Sequence, residues 1–522
     1  MIWHIFKKDW KLLWMFIVAV ASLHGISAFI IFRLGLFGEN AMLGMLSQAV
    51  PILAFFGSMF LIAAIVHVEA IPGVRQDWLV RPIRRGDLLI EKFLFVVLMV
   101  EGPIFFANLF QGLASGFSLR WAASAAASYV IFLLFFLILP LFAFASVTRN
   151  MTEAFIFGCG CAFITGAFLT VTEYINFSTN DTLVTVTHSG IGWIGEVLRF
   201  ALVAAAAAVI LGLQYFRRKT VAARSLLLAF GFLILASQFL PWKPAFAVEQ
   251  RLSQRPAAGA STMVAFAPER GKFKSPSGLL ASSGNSRRSR SDASADVFLP
   301  LQIAGVRNDA ILLTDRVEVH LTAQDGRSVY HGNGEGLEVA KEGPNSAEEQ
   351  VYQQVGVPMA VYRRAKDQPV EVRVDYSLTL FGLAKSYSMP ALDGDQRLPA
   401  WGWCQTKMNE AGTAVELHCM EPGKGPICGT AFLENASNGA RNPARSTCRS
   451  DYSPYGSRPL PDGFLRFGTN LAFRDPSGLA KYPVDGPQLP NARVIIRVYE
   501  PEEHFTRSLT IPRIQLKDWE AQ

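Results

Sequence analysis

An acidic residue inside a long apolar run is the feature of this sequence with the clearest chemical consequence. Glu101 lies near the middle of the apolar residues 93–114, and Asn108 and Gln111 follow about two turns later. A lone ionised acid in a bilayer costs roughly a few kcal/mol, so Glu101 is expected to face a partner or a wet cavity. Pro103 can open the backbone between these polar residues. They predict either the polar lining of a path across a membrane or hydrogen-bonding contacts between helices.

The segment 69–92 concentrates charge between two apolar runs. Val74 and Trp78 fall at helical spacing, whereas Pro82 and Gly86 interrupt a helix. The pattern predicts a short amphipathic helix, a bend and entry into the next apolar helix. It is either a basic loop that only sets membrane orientation or a surface that another protein can grip. The candidate contact residues are Arg75, Asp77, Trp78, Arg81, Pro82, Arg84 and Arg85.

The cysteines predict disulfide chemistry in the second half of the chain. Cys404, Cys419, Cys428 and Cys448 form an even set within one short region, as in domains of an oxidising compartment. The local pairs Cys404–Cys419 and Cys428–Cys448 are favoured among the possible pairings. A zinc site is the alternative, but none of the gaps has the short spacing that such sites favour, so we expect no metal.

Enzyme motifs do not occur in the sequence. It contains no G-x-x-x-x-G-K-[ST] phosphate loop, no H-E-x-x-H and no G-x-S-x-G. The histidines of the second half show no ligand-like spacing and are interpreted as surface or hydrogen-bonded residues: His320, His331, His418 and His504. The chain is therefore predicted not to be an enzyme and to bind no cofactor itself.

The composition divides the chain into an apolar half and a soluble half. Hydrophobic residues make up 51% and charged residues 17%, against about a quarter charged in ordinary soluble domains. Runs of about 20 apolar residues can cross a bilayer. Seven such spans are predicted at roughly 12–33, 42–66, 93–114, 122–147, 153–172, 196–216 and 225–242. Residues 1–14 predict an interfacial helix that lies among lipid headgroups.

The distribution of cations predicts the orientation of the spans. With a cytoplasmic amino terminus, the inner segments hold Lys7, Lys8, Lys11, Arg75, Arg81, Arg84, Arg85, Lys92, Arg149, Arg217, Arg218, Lys219 and Arg224. The outer ends hold Arg33, Arg120, Arg199 and Lys243. This imbalance follows the positive-inside rule and places the second half outside, where disulfides can form. Lipid headgroups account for the formal charge of +7, so no nucleic-acid partner is expected.

The hydrophobic period changes after a linker. Residues 246–296 are rich in Ser, Gly, Ala, Pro and Arg and predict a flexible connection. Residues 297–522 show alternating patterns and turn signals that predict one or two β-sandwiches, with a possible division near 399. The predicted fold class is an α-helical polytopic membrane domain over residues 1–245 followed by an all-β extracytoplasmic domain.

The layout of residues 1–220 resembles the membrane subunit of type-2 ABC transporters. The resemblance rests on two spans, a helix containing Trp78, the pair Arg81 and Pro82, and an entry into the third span through Leu88, Leu89 and Lys92. It implies that the loop after the second span is a coupling helix that docks on a separate ATPase through the contact residues named above. ATP would then bind to that partner chain. It also implies a homodimer or heterodimer of permeases in the bacterial inner membrane.

We therefore expect a permease subunit of an ATP-driven transporter, with export as the direction that the resemblance favours. Its amino terminus would be cytoplasmic and its β domain periplasmic, with Glu101, Asn108 and Gln111 along the path. The alternative function is a membrane-anchored periplasmic sensor or assembly protein that binds a ligand or a protein without transport.

Overall fold

Apolar helices form the first half of the chain in the computed structural model. The structure describes residues 2–37, 41–68, 84–178, 192–237, 241–273, 294–341, 351–398, 402–422, 427–449, 464–475 and 481–520. The helices are α1 (Ile2–Phe37), α2 (Ala41–His67), α3 (Arg85–Val96), α4 (Gly102–Ala114), α5 (Leu119–Leu133), α6 (Leu139–Ser146), α7 (Met151–Ser178), α8 (Gly192–Gly212) and α9 (Thr220–Ala236). Their inward faces share one core that includes Leu61, Phe95 and Phe142. Phe106 and Phe163 lie exposed on the outside, as expected of a surface that a bilayer covers.

Five helices of the described part are long and apolar enough to cross a membrane. They are Ile2–Ile30, Met45–His67, Gly86–Ala114, Met151–Phe168 and Val197–Arg217. The helices α5 and α9 are apolar but shorter. These lengths and compositions agree with a membrane protein, whereas the count of seven crossings stays a prediction.

The amino terminus differs from the sequence-based expectation of a separate interfacial helix. Residues Ile2–Phe37 form a single helix. Phe6, Leu13 and Ile17 are all buried in the bundle core, so one apolar stripe continues from the first turns into the span. Trp3 on the first turn is mostly exposed. The apolar stripe favours packing of this segment against α3 rather than a break at residue 14.

Three π-helical turns interrupt the helices of the described part. Val97–Glu101 joins α3 to α4, Leu134–Ile138 joins α5 to α6, and Leu213–Arg217 ends α8. Pro103 and Pro140 follow the first two within two residues. Because proline lacks an N–H and crowds the carbonyl four residues earlier, the helix widens in the turn before it. Each of these two helices therefore continues through its proline.

The second half of the chain is rich in antiparallel strands. They are β1 (Met263–Phe266), β2 (Ser294–Ala304), β3 (Ala310–Ala323), β4 (Ser328–Asn333), β5 (Glu338–Lys341), β6 (Val351–Pro358), β7 (Val370–Pro390), β8 (Asp395–Leu398), β9 (Gly402–Met408), β10 (Ala414–Pro422), β11 (Ile427–Asn435), β12 (Arg445–Arg449), β13 (Phe464–Ala472) and β14 (Ala492–Ile514). The sheet orders are β1-β2-β6, β13-β10-β9-β8 and β12-β11-β14-β7-β3-β4, with β5 also paired to β3. Among the residues that the structure describes there, α-helices form at α10 (Trp242–Arg251) and α11 (Met359–Ala365).

Two long strands connect two apolar cores in this half. β7 and β14 pair from Arg493 opposite Pro390 to Ile514 opposite Val370. One end of this ribbon contributes to a core with β2, β3 and β6, and the other end to a core with β9, β10 and β11. The sequence predicts separate strands at 492–499 and 508–514. The structure joins them because the intervening residues pair with β7 across a bulge. The division of the β region near 399 stays a prediction.

The predicted flexible linker contains regular structure. Helix α10 begins at Trp242, before the predicted linker, and extends into it as far as Arg251; its residues Trp242, Ala245 and Phe246 bury one face. Strand β1 pairs with β2 from Met263 opposite Ala304. The small and polar residues of this segment conceal the i, i+3, i+4 repeat that forms α10. Residues 274–293 of the predicted linker lie outside the described part.

Candidate functional site

One end of the helical bundle contains the end of α2 and the start of α3, which flank the undescribed residues 69–83 in the sequence, and we call it the basic end. There α1 and α3 begin, α2 ends, α6 turns into α7 and α8 turns into α9. Arg84 is exposed directly before α3, and Arg85 is the first residue of that helix. The other predicted contact residues lie outside the described part of the chain, so their role stays a prediction: Arg75, Asp77, Trp78, Arg81 and Pro82.

A buried ion cluster joins α1 to α3 at the basic end. The Nζ of Lys92 lies 2.5 Å from Oδ2 of Asp9 and 3.6 Å from Oε2 of Glu91. All three side chains are buried. Removing one member of such a pair strands a buried charge, which costs several kcal/mol. The first turns of α1 are thereby fixed to the helix that follows the 69–83 loop.

A polar network joins the remaining helix ends. The Nε2 of His67 lies 2.9 Å from Oγ1 of Thr148, so α2 contacts the α6–α7 turn. Gln214 donates from Nε2 to the carbonyl of Ser146 over 3.0 Å. Arg224 donates to Oε1 of Glu153 over 2.6 Å. This bond joins two charged groups, and such bonds are shorter and stronger than neutral ones. These bonds hold α2, the α6–α7 turn and α9 as one unit.

Exposed cations surround this network. They are Lys7, Lys8 and Lys11 on α1, Arg84 before α3, Arg149 before α7, and Arg217, Arg218 and Lys219 between α8 and α9. A rim of one charge sign attracts acidic protein surfaces and anionic lipid headgroups. The basic end therefore combines helix ends that are joined by ion pairs and hydrogen bonds with a surrounding ring of exposed positive charges.

Glu101 lies deeper in the bundle, at the last residue of the first π turn. Its side chain is buried, and the turn packs against α1 and α2. Among the described residues, no hydrogen-bond partner reaches its Oε1. Glu101 follows Lys92 by nine residues, which corresponds to about 14 Å along the helix axis. The backbone irregularity ends at Glu101, whereas the sequence suggested an opening after it.

The other two predicted path residues differ in their surroundings. Asn108 is half-buried, and its Nδ2 donates to the carbonyl of Ile104 on its own helix over 2.9 Å. Gln111 is buried, and within the described residues its Nε2 has no hydrogen-bond partner. Glu101 and Gln111 thus leave polar atoms for a further group, whereas the amide of Asn108 is occupied by its own backbone.

The four cysteines of the β region form two close pairs. The sulfurs of Cys404 and Cys419 lie 2.01 Å apart, and those of Cys428 and Cys448 lie 2.13 Å apart. The first pair links β9 to β10 and the second links β11 to β12, at directly opposed positions. This is the local pairing that the sequence favours, and it fits a disulfide-bonded domain.

Helix α10 forms a seam between the helical bundle and the β strands. The ring of Trp242 stacks on Phe246 with centroids 4.6 Å apart, and Phe246 contacts His504 edge to face. Burial lowers the pKa of His504 to about 4, although the carboxylate of Glu503 opposes this shift. Lys243 pairs with Glu318 of β3 over 3.0 Å. The β strands are therefore in contact with the helix that follows α9, rather than only tethered to it.

Two of the histidines interpreted above as surface or hydrogen-bonded residues lie next to each other. His320 of β3 lies directly opposite His331 of β4, and their rings stack with centroids 4.3 Å apart. Glu318 precedes His320 by two residues on the same face, and the ligand atoms of the three residues lie within 4.8 Å of one another. Linear spacing alone concealed this cluster because its members come from two strands.

Sequence reasoning also missed the ion cluster at the basic end. Lys92 was counted as an orienting cation, and Asp9 was not singled out. Their separation of 83 residues gives no local signal. The acidic residue within the apolar stripe of α1 was the available clue, because Asp9 follows the buried residues Ile5 and Phe6 by about one turn.

Comparison of the chain with models of protein families finds no match, and comparison with curated protein sequences finds none either.

Proposed function

We propose that this chain is the membrane-spanning permease subunit of an ABC-type, ATP-driven transporter, with ATP hydrolysed on a separate subunit. One observation carries the proposal: a continuous helix leads from the basic end to Glu101. It runs through α3, the π turn and α4, begins at Arg85, two residues after the predicted contact segment 69–83, and holds both Lys92 and Glu101. A displacement of the loop would therefore move Glu101 without an intervening hinge.

The ion pairs between the helix ends support this coupling between residues 69–83 and Glu101. The Lys92–Asp9 pair makes α1 move with α3, and the Arg224–Glu153 pair joins α9 to α7. A partner that pulls on the 69–83 loop would then act on several helices together. The exposed basic rim favours a partner with an acidic docking surface, because complementary charge speeds encounter and fixes orientation.

Glu101 and Gln111 supply the polar groups for a translocation path. Buried polar atoms without partners are costly unless water or a ligand meets them. A path that opens beside these residues would satisfy Oε1 of Glu101 and Nε2 of Gln111. Seven crossings, a cytoplasmic basic end and periplasmic β-sandwiches complete the proposal, with export in a dimer of permeases as the working arrangement.

Retention of ATP hydrolysis tests the proposal. We expect Mg-ATP hydrolysis to accompany the chain when it is purified from native membranes in mild detergent. The double variant Trp78→Ala/Arg81→Ala should lose this activity while its helical content stays unchanged. The matched control Arg120→Ala removes an exposed arginine at the other end of the bundle and should retain the activity. Hydrolysis that never accompanies the chain would sink the proposal, as would hydrolysis that survives the double variant.

A membrane-anchored sensor is the second candidate, and the α10 seam favours it. The contacts of Lys243 with Glu318 and of Phe246 with His504 give a ligand-induced change in the β domain a direct route to the membrane helices. A sensor would keep its periplasmic partner in the Trp78→Ala/Arg81→Ala variant and would yield no associated ATP hydrolysis. The same purification therefore separates the two functions.

A further inference from the structure

The cluster of Glu318, His320 and His331 lies on one face of the β3–β4 hairpin. Residues two apart on a strand point to the same side, so Glu318 and His320 share a face. His331 faces His320 across the strand pair, and the two rings are nearly parallel at 10°. The Nε2 of His320 lies 3.9 Å from Oε2 of Glu318, beyond hydrogen-bond distance. Three donor atoms therefore converge without bonding one another.

We propose that Glu318, His320 and His331 bind a divalent transition-metal ion of the zinc class. Two imidazole nitrogens and one carboxylate oxygen form a donor set that zinc accepts, with one position left open. Zinc–nitrogen bonds of about 2.0–2.1 Å require donor atoms roughly 3.4 Å apart in a tetrahedron. The donor atoms lie within 4.8 Å of one another. Side-chain rotations that move the donor atoms by about 1 Å would bring them to the spacing that zinc requires.

A further carboxylate and open solvent border these ligands. The Oδ2 of Asp375 lies 3.8 Å from Nε2 of His320 and can serve as an outer carboxylate that orients the ring. Strand β4 is at the end of its sheet and His331 is exposed, so an ion can enter from solvent.

The site also connects to helix α10. Arg316 holds Oε1 of Glu318 over 2.8 Å, whereas Lys243 of α10 lies 3.0 Å from Oε2, the oxygen nearer His320. A dication at Oε2 would repel the Lys243 ammonium and displace it. Metal binding would thus release a contact between the β strands and α10. Because Lys243 is largely exposed, Lys243→Ala should tighten metal binding only a few-fold.

Cobalt spectroscopy and zinc calorimetry on the full chain test the site. The chain is purified in detergent, stripped of its affinity tag and washed with chelator. We expect one Co²⁺ per chain with visible absorption typical of tetrahedral coordination, displaced by Zn²⁺ but not by Mg²⁺. Loss of an outer-sphere partner typically weakens metal binding 10–100-fold, so loss of a direct ligand in His320→Gln or His331→Gln should weaken it by more than about a hundredfold.

His418→Gln is the matched control. His418 lies 3.3 Å from Glu416, two residues away on β10, so it reproduces the Glu-x-His pair without an opposing histidine. Its affinity should equal that of the parent chain. Equal cobalt spectra and affinities in His331→Gln and the parent chain would overturn the proposal, as would the absence of saturable binding. Should the variants fail to fold, zinc must protect His320 and His331 of the parent chain from carbethoxylation, and unchanged modification would overturn it.

Discussion

Replacing Lys92 is expected to destabilise the helical bundle more than replacing Asp9. Lys92→Met keeps the apolar stem but leaves the buried carboxylates of Asp9 and Glu91 without their shared ammonium. Breaking a buried ion pair costs about 3–5 kcal/mol, so we expect the free energy of unfolding of this variant to fall by about 4 kcal/mol. Asp9→Asn leaves Lys92 beside Glu91, and loss of one charged hydrogen bond suggests about 2 kcal/mol. The ordering follows from the contacts of Lys92 with both acids, whereas Asp9→Asn removes only one of these two contacts.

The assay is unfolding of the purified chain by SDS in mixed micelles, followed by helical circular dichroism. Lys11→Met is the matched control, because Lys11 is an exposed lysine on the same helix as Asp9. Its free energy of unfolding should change by less than about 0.5 kcal/mol. This account of the basic end would be refuted if both variants lost less than about 1 kcal/mol in free energy of unfolding. It would also be refuted if Asp9→Asn lost more than Lys92→Met.

Three further predictions concern the path and the β domain. Glu101→Gln should keep the fold but lower substrate-stimulated ATP hydrolysis of the reconstituted complex at least tenfold, and an unchanged rate would remove Glu101 from the path. His504 has a folded pKa of about 4 against 6.5 for the free group, so its stabilising effect is full above pH 6.5 and is lost as pH falls toward 4. Denaturant titrations should show a loss of about 3 kcal/mol over that window, absent in His504→Phe. Reducing the Cys404–Cys419 bridge, which closes a loop of 15 residues, should cost the β domain about 3 kcal/mol, and an unaltered unfolding midpoint with reductant would contradict this.

Features encoded locally were accessible from the sequence. The apolar helices follow from the length of hydrophobic runs, and the local cysteine pairs are those that the structure brings together. The His320–His331 contact was also encoded, because the Asp325-Gly326 pair, which is typical of hairpin turns, is the midpoint between the two histidines. Pairing the two histidines also required the register of β3 against β4, which cannot be read from spacing along the chain.

Features that depend on distant packing were not accessible. The Lys92–Asp9 pair joins two helices that are separated in sequence by α2, and each charge alone resembles an interfacial residue. The sequence predicts two strands in place of β14, whereas the structure continues the pairing with β7 through Pro501, next to a bulge. Helix α10 was not predicted as one element, and its residues were divided between the membrane domain and the linker, because its apolar repeat is short and surrounded by small residues.

Site-specific photo-crosslinking at the basic end is the most direct test of the proposed function. A photoreactive amino acid replaces Arg84, which is exposed beside the 69–83 loop, and in a parallel strain it replaces Arg120 at the other end. Illumination of intact cells should join the Arg84 variant to a nucleotide-hydrolysing subunit and leave the Arg120 variant without that product. Capture of such a subunit from position 120 alone, or from neither position, would contradict the assignment of the basic end as its docking surface.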